Sequence, residues 1–312
     1  GMINKMKKYI STFSSMRRCS NSVVAFKTEI ISVLIRNQYK RQRFIQRVKL
    51  NYLKDKYKDI IKDYANKQGV VKKASKPIVW IMWWQGEEGM PPIVKACYNS
   101  VKKHVSDNVD IVLLTESNFS DYVDIPENIL SKVQRGIISL THLSDIIRMS
   151  CIAKYGGIWL DSTIFVNQDI PDSLINRDFF SLSTEEDFHY VSKCKWSSFA
   201  IGGNSIVFDF MRMLFLTYWE KNETMIDFFF IDYGLRVFYD SSCQFREFVE
   251  TDALYVKDLY ELHHCFNEVY DDNKMTNIAK NALFCKLSWK GKKEKLKDGK
   301  LTFYGHLIAG YE

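Results

Sequence analysis

Proline is scarce in this chain: five residues in 312, none before Pro77 and none after Pro171. Residues 1–75 thus lack the strongest helix breaker, and long helices are open to them. Long apolar runs are missing as well. None approaches the roughly 18 residues of a membrane-spanning helix. Lys5, Lys7 and Lys8 are followed by no apolar stretch, so no secretory signal is expected. Paired cysteine motifs are absent. The seven cysteines, Cys19, Cys97, Cys151, Cys194, Cys243, Cys265 and Cys285, are odd in number, scattered and never spaced C-x-x-C. That pattern excludes a disulfide framework or zinc ribbon and points to a reducing, cytoplasmic setting. His263 and His264 have no companion ligands and are assigned no chemistry.

What is present suits a folded enzyme-sized unit. Hydrophobic residues make up 46% and aromatics 14%, ample for a large core beside a smaller appendage. The net charge of +7 conceals an asymmetry. Residues 1–75 carry 19 Lys/Arg against 4 Asp/Glu, or +15; the remainder carries 25 against 33, or −8. A division at 75/76 follows, into a basic helical appendage (1–75) and a main domain (76–312). In the appendage Val23, Phe26, Ile30 and Leu34 form a stripe at helical spacing, continued by Phe44, Val48, Tyr52, Tyr57 and Ile61. Basic amphipathic helices of this kind fit an anionic membrane surface from the cytoplasmic side, or a hairpin packed on the main domain. No base-reading motif accompanies the charge, so nucleic acid is not the expected partner.

From residue 76 the pattern alternates strand and helix. Ile78 to Trp83 and Asp110 to Leu114 read as buried parallel strands, with a helix from Pro91-Pro92 to about His104 between them. Asn204–Tyr218 and Met225–Tyr239 read as later helices rich in core aromatics. Repetition of this unit gives an open α/β sheet, with ligand at the carboxyl ends of the strands.

The most informative stretch is SDIIRMSCIAKYGGIWLDSTIF, Ser144 to Phe165. Leu143, Ile147, Cys151 and Tyr155 recur every fourth residue, making one helix face core, and Ile146, Met149 and Ala153 widen that apolar surface, so that Asp145 and Arg148 are expected to be partly desolvated. Asp145 and Arg148 sit on that helix, a plain i,i+3 ion pair unless something else joins them. Gly156 suits a left-handed cap, Gly157 a sharp turn, and Ile158-Trp159-Leu160 a buried strand ending at Asp161. A carboxylate, an Arg and a second carboxylate converging on one point are what a nucleotide diphosphate requires.

Through Asp145, Arg148, Gly156, Gly157, Trp159 and Asp161 the sequence resembles the capsular polysaccharide synthesis proteins, relatives of glycosyltransferase family 32 and the DXD sugar transferases. The likeness extends upstream to WIMWWQGEEGMPPIVKACYNS and downstream to IDYGL and FCKLSWK. It implies a GT-A, Rossmann-like domain that transfers a sugar from a nucleotide-diphosphate donor, uridine being the leading base, with retention at the anomeric carbon. The acceptor it implies is a growing surface polysaccharide or a lipid-linked glycan. Asp161, Arg148 and Asp232 are the implied catalytic residues. Asp145, Arg148, Trp83, Trp84, Gly156, Gly157 and Lys286 are the implied donor-binding residues. Mn²⁺ or Mg²⁺ is the implied cofactor, with Asp161, Thr163 and His306 as candidate ligands. One departure stands out: Asp161-Ser162-Thr163 lacks the second Asp of Asp-x-Asp, and hard cations favour several oxygen ligands. A toxin-like protein glycosyltransferase and a non-catalytic assembly protein are the alternatives; a glycoside hydrolase fits the Asp/Arg pairing less well.

Overall fold

The computed structural model describes residues 21–67, 70 and 76–311. Three helices open it: α1 (Ser22–Leu34), α2 (Gln38–Lys56) and α3 (Lys58–Ala65). Then come β1 (Ile78–Met82), α4 (Pro92–His104), β2 (Asp110–Leu114), α5 (Leu140–Tyr155), β3 (Ile158–Leu160), β4 (Ile164–Val166), β5 (Phe180–Ser183) and β6 (Ala200–Gly202). Helices α6 (Val207–Lys221) and α7 (Phe230–Ser241), strands β7 (Leu254–Tyr255) and β8 (Phe284–Lys286), and helix α8 (Phe303–Gly310) complete the frame. No helix among the described residues is long and apolar enough to cross a membrane.

The main sheet runs β2-β1-β3-β6-β5-β7. β1 is parallel to both β2 and β3; β6 enters antiparallel and pairs with β5, which is parallel to β7. This is the expected α/β fold, with its parallel half where the repeating unit was read. Residues alternate cleanly across it. Trp80 and Trp159 bury towards α5, α6 and α7, while Val79, Ile81, Ile158 and Leu160 bury towards α4, α8 and the β4–β8 pair.

Helix α5 is buried further round than its widened apolar surface suggests. Every residue from Leu143 to Ala153 except Ser144 is buried, including Asp145, Arg148, Ser150 and Ile152. It lies between the sheet and α6, and a helix covered on all sides is apolar all round. Strand β2 departs as well. It is an edge strand, so Asp110 is exposed and only Leu114 is fully buried. The later helices start downstream of their reading, at Val207 and Phe230. In the appendage Leu53, Tyr57 and Ile61 join the core formed by α6 and α7. The α1 stripe behaves differently: Val23, Phe26, Ile30 and Leu34 are exposed and Val24 is buried.

Candidate active site

Parallel strands β1, β2 and β3 end on one edge of the sheet. Trp80 pairs with Trp159, which brings Asp161 level with the end of β1. The α5–β3 turn is held there by glycine geometry. Gly156 and Gly157 have φ of +70° and +80°. A Cβ on Gly157 would stand 2.3 Å from the Ile78 carbonyl oxygen of β1. Only glycine allows helix and strand to approach this closely.

Arg148 is the centre of the cluster. Its Nη1 lies 3.4 Å from Asp145 Oδ1, and its Nη2 donates to Asp161 Oδ1 at 3.1 Å. Nη1 also donates to the Ser198 carbonyl at 2.7 Å, and the guanidinium lies 4.8 Å over the Trp159 ring. Asp161 Oδ1 accepts in addition from Trp159 Nε1 at 2.8 Å. The Asp145–Arg148 pair is therefore more than an i,i+3 surface bridge: both side chains are at least nine-tenths buried, and a third charge joins them. Arg148 Nε is buried with no partner among the described residues.

Lys286, on β8, approaches from the other side. Its Nζ is 3.7 Å from Asp161 Oδ2 and donates to Thr163 Oγ1 at 2.5 Å. The position of the missing second Asp is thus occupied by a hydroxyl engaged by an ammonium group. Among the described residues no three His, Cys, Asp or Glu side chains cluster to hold a metal. His306 is elsewhere employed: its exposed ring stacks on Tyr270 at 3.6 Å, with no hydrogen bond or ion pair to Asp161, Thr163 or Lys286 among the described residues.

Burial pushes the Asp145 carboxyl up to about 7 against the pull of Arg148, and the charges of Asp161 and Asp232 add to the rise. Burial likewise pushes Asp232 up to about 6, opposed by a hydrogen bond from Trp196 Nε1 at 3.0 Å and by Arg148. Asp232 thereby belongs to the same electrostatic cluster although it comes from α7. It also lines a cavity of about 1010 Å³. Aromatic rings (Tyr190, Phe228, Phe229, Tyr233, Tyr260) and carboxylates (Glu185, Asp187, Asp227) share its walls.

The two halves meet along Trp196–Phe199. Ser198 and Phe199 accept from Arg148 and from the Asp161 backbone N–H, while all four residues line the cavity. Sequence reasoning did not single out this segment, nor Gln42, Gln46 and Lys49 of α2, which form another cavity wall. The two tryptophans after β1 part company. Trp84 stacks on Phe119 at 5.5 Å, and Trp83 meets half-exposed Trp289 edge-on at 6.0 Å.

Residues 29–307 match the family model described as capsular polysaccharide synthesis protein. An alignment 107 residues long, covering 32% of the chain, is 29% identical to the O-glycosyltransferase braB of Annulohypoxylon truncatum and spans 25% of that protein. Among solved structures, a WbbM bifunctional glycosyltransferase overlaps 78% of this chain and 51% of its own, at 14% identity and a TM-score of 0.38. An active-site variant of LgtC overlaps 75% of this chain and 95% of its own, at 10% identity and a TM-score of 0.34.

Proposed function

Because this chain belongs to the capsular polysaccharide synthesis protein family, we propose that it is a glycosyltransferase of GT-A type. It moves a sugar from a nucleotide-diphosphate donor, uridine-based, to a glycan acceptor of a surface polysaccharide. The observation that carries this reading is the bridging of Asp145 and Asp161 by Arg148, with Lys286 beside Asp161. Departure of a diphosphate builds negative charge, and fixed cations in a buried site stabilise that charge without reorganising. Arg148 and Lys286 supply them. Asp145 and Asp161 fix the guanidinium and accept hydroxyls of ribose or sugar. Trp83, edge-on to Trp289, is the residue proposed to meet the base. Asp232, at the head of the large cavity, orients a sugar hydroxyl near the anomeric carbon, where proximity alone lowers the barrier. Retention of configuration is part of the proposal.

The family resemblance also implies a divalent cation. Among the described residues Asp161 Oδ2 accepts no side-chain hydrogen bond, with Lys286 Nζ 3.7 Å away, and the side chain is 29% exposed, so it can give such an ion one ligand. The donor's phosphates would give others. Mn²⁺ or Mg²⁺ would then add to neutralisation of the leaving group. Thr163, already bonded to Lys286, and His306, stacked on Tyr270, are left out of this proposed ligand set.

A peripheral position on an anionic membrane face is proposed for α1. Val23, Val33 and Leu34 are 60%, 60% and 73% exposed on a helix within a segment of net charge +15 (19 − 4). Calorimetric titration with UDP- and GDP-sugars, with and without Mn²⁺, tests the central reading. Binding of at least one is expected, and heat from none of them would reject it.

A further inference from the structure

The large cavity adjoins a second pocket. Gln46, Tyr190 and Val191 line both. The second, of about 280 Å³, is lined by Arg43, Arg47, Lys54, Lys193 and Arg236 and by no acidic side chain. Two of these cations share one carboxylate: Lys54 and Arg236 both bind Asp240, at 2.7 and 2.9 Å. The other three have no carboxylate partner among the described residues. Arg43 and Lys193 lie against the Phe188 ring, at 6.0 and 4.8 Å from its centroid, and Arg47 lies 5.5 Å from that of Phe44.

Charge therefore reverses across a shared wall. On the Asp232 side stand Glu185, Glu186, Asp187 and Asp227, with Lys49 already paired to Asp227 at 2.5 Å. On the other side stand three unpaired cations. Three like charges around one small concavity repel each other, and an oxyanion placed among them relieves that repulsion. Arginine adds a planar fork that matches phosphate oxygens in pairs. A ligand spanning the wall must thus be neutral at one end and anionic at the other. The aromatic and hydroxyl-binding groups of the large cavity suit a sugar ring at the neutral end.

Resting on the glycosyltransferase reading, we infer that Arg43, Arg47 and Lys193 form a subsite for a phosphate group carried by the acceptor glycan. The acceptor's sugar then enters the Asp232 cavity over Gln46 and Tyr190. Helix α2 becomes a specificity element of the acceptor site. A phosphate of this kind could be part of a glycan chain or link the glycan to a lipid.

The test uses the full chain and the triple variant Arg43→Ala/Arg47→Ala/Lys193→Ala, all surface or half-buried positions. Glucose, glucose 1-phosphate and glucuronate are the probes, titrated with UDP at saturation so that the donor side is filled. Wild type is expected to bind glucose 1-phosphate about tenfold or more tighter than glucose, as two or three charge-assisted hydrogen bonds allow. The triple variant is expected to lose that preference while binding glucose and UDP unchanged. Equal binding of glucose 1-phosphate by the two proteins overturns the subsite, and stronger binding of glucuronate than of the phosphate overturns the phosphate assignment. Vesicles of phosphatidylcholine doped with polyprenyl phosphate or with phosphatidylglycerol separate the sources. Triple-variant-sensitive binding to the polyprenyl phosphate vesicles alone supports a lipid-linked acceptor, and to neither supports phosphate within the glycan. Equal, variant-sensitive binding to both, without preference for glucose 1-phosphate in solution, overturns the proposal in favour of a membrane contact. Should no UDP-sugar bind while the variant-sensitive phosphate preference persists, the subsite stands and the glycosyltransferase reading falls.

Discussion

At the scale of single residues, the proposed chemistry turns on how Arg148 is shared. Its two terminal nitrogens reach different carboxylates, so a single-pronged cation cannot replace it. Arg148→Lys is expected to keep its circular dichroism spectrum and to weaken UDP-sugar binding by about 10- to 100-fold, the worth of one charged hydrogen bond; unchanged affinity would reduce Arg148 to a structural tie. Asp145 carries a stability signature. Its folded value, about 7, lies above the ordinary 3.8, so the fold favours the protonated form. The stability this contributes is full below about pH 4 and is lost as pH rises through about 7. Urea unfolding across that window should show wild type losing on the order of 2–4 kcal/mol relative to Asp145→Asn. Parallel profiles would show that Asp145 does not titrate there. Asp232, proposed to orient a sugar hydroxyl, carries the kinetic counterpart. With a value near 6 it gains charge between pH 5 and 7, and turnover should rise over the same interval. Asp232→Asn should flatten that rise and lower turnover about 10- to 100-fold.

Elements were legible to different depths. The β1 and β3 strands, the α4 start at Pro92 and the Gly-Gly turn announce themselves by composition and local sterics. Burial on the second face of α5 does not, because it depends on α6 arriving from sixty residues away. A continuous apolar run likewise cannot tell an edge strand such as β2 from a central one. Trp196 and its cavity were invisible for a similar reason: an indole among serines gives no sign that it will hold the carboxylate of α7. The strongest element-level prediction lies at the turn. Gly157→Ala forces a methyl against the Ile78 carbonyl at a φ of +80°, and chemical denaturation should register a loss of more than about 2 kcal/mol. A neutral substitution there would mean that β1 and β3 can separate.

For the whole molecule, the appendage splits its duties. Leu53, Tyr57 and Ile61 lie in the core, each worth roughly 1.5–3 kcal/mol of burial. A chain beginning near Lys76 gives up much of a typical 5–15 kcal/mol margin and should aggregate. A chain beginning near Gln38 keeps those contacts and should stay folded. If α1 meets membrane, that shorter truncation should lose sedimentation with phosphatidylglycerol vesicles. Full-length binding should fade with salt as the Debye length shrinks from about 10 to about 3 Å. Equal sedimentation of both chains would remove α1 from the interaction. The segment Trp196–Phe199 has a further consequence, for kinetics. Its Ser198 and Phe199 carbonyls accept from Arg148 and Asp161, and all four of its residues also line the Asp232 cavity. If the donor fills the first compartment as proposed, it sets the backbone that shapes the second, and turnover is expected to follow a compulsory order with donor entering first. Product inhibition by the free nucleotide diphosphate should accordingly be competitive against donor and noncompetitive against acceptor.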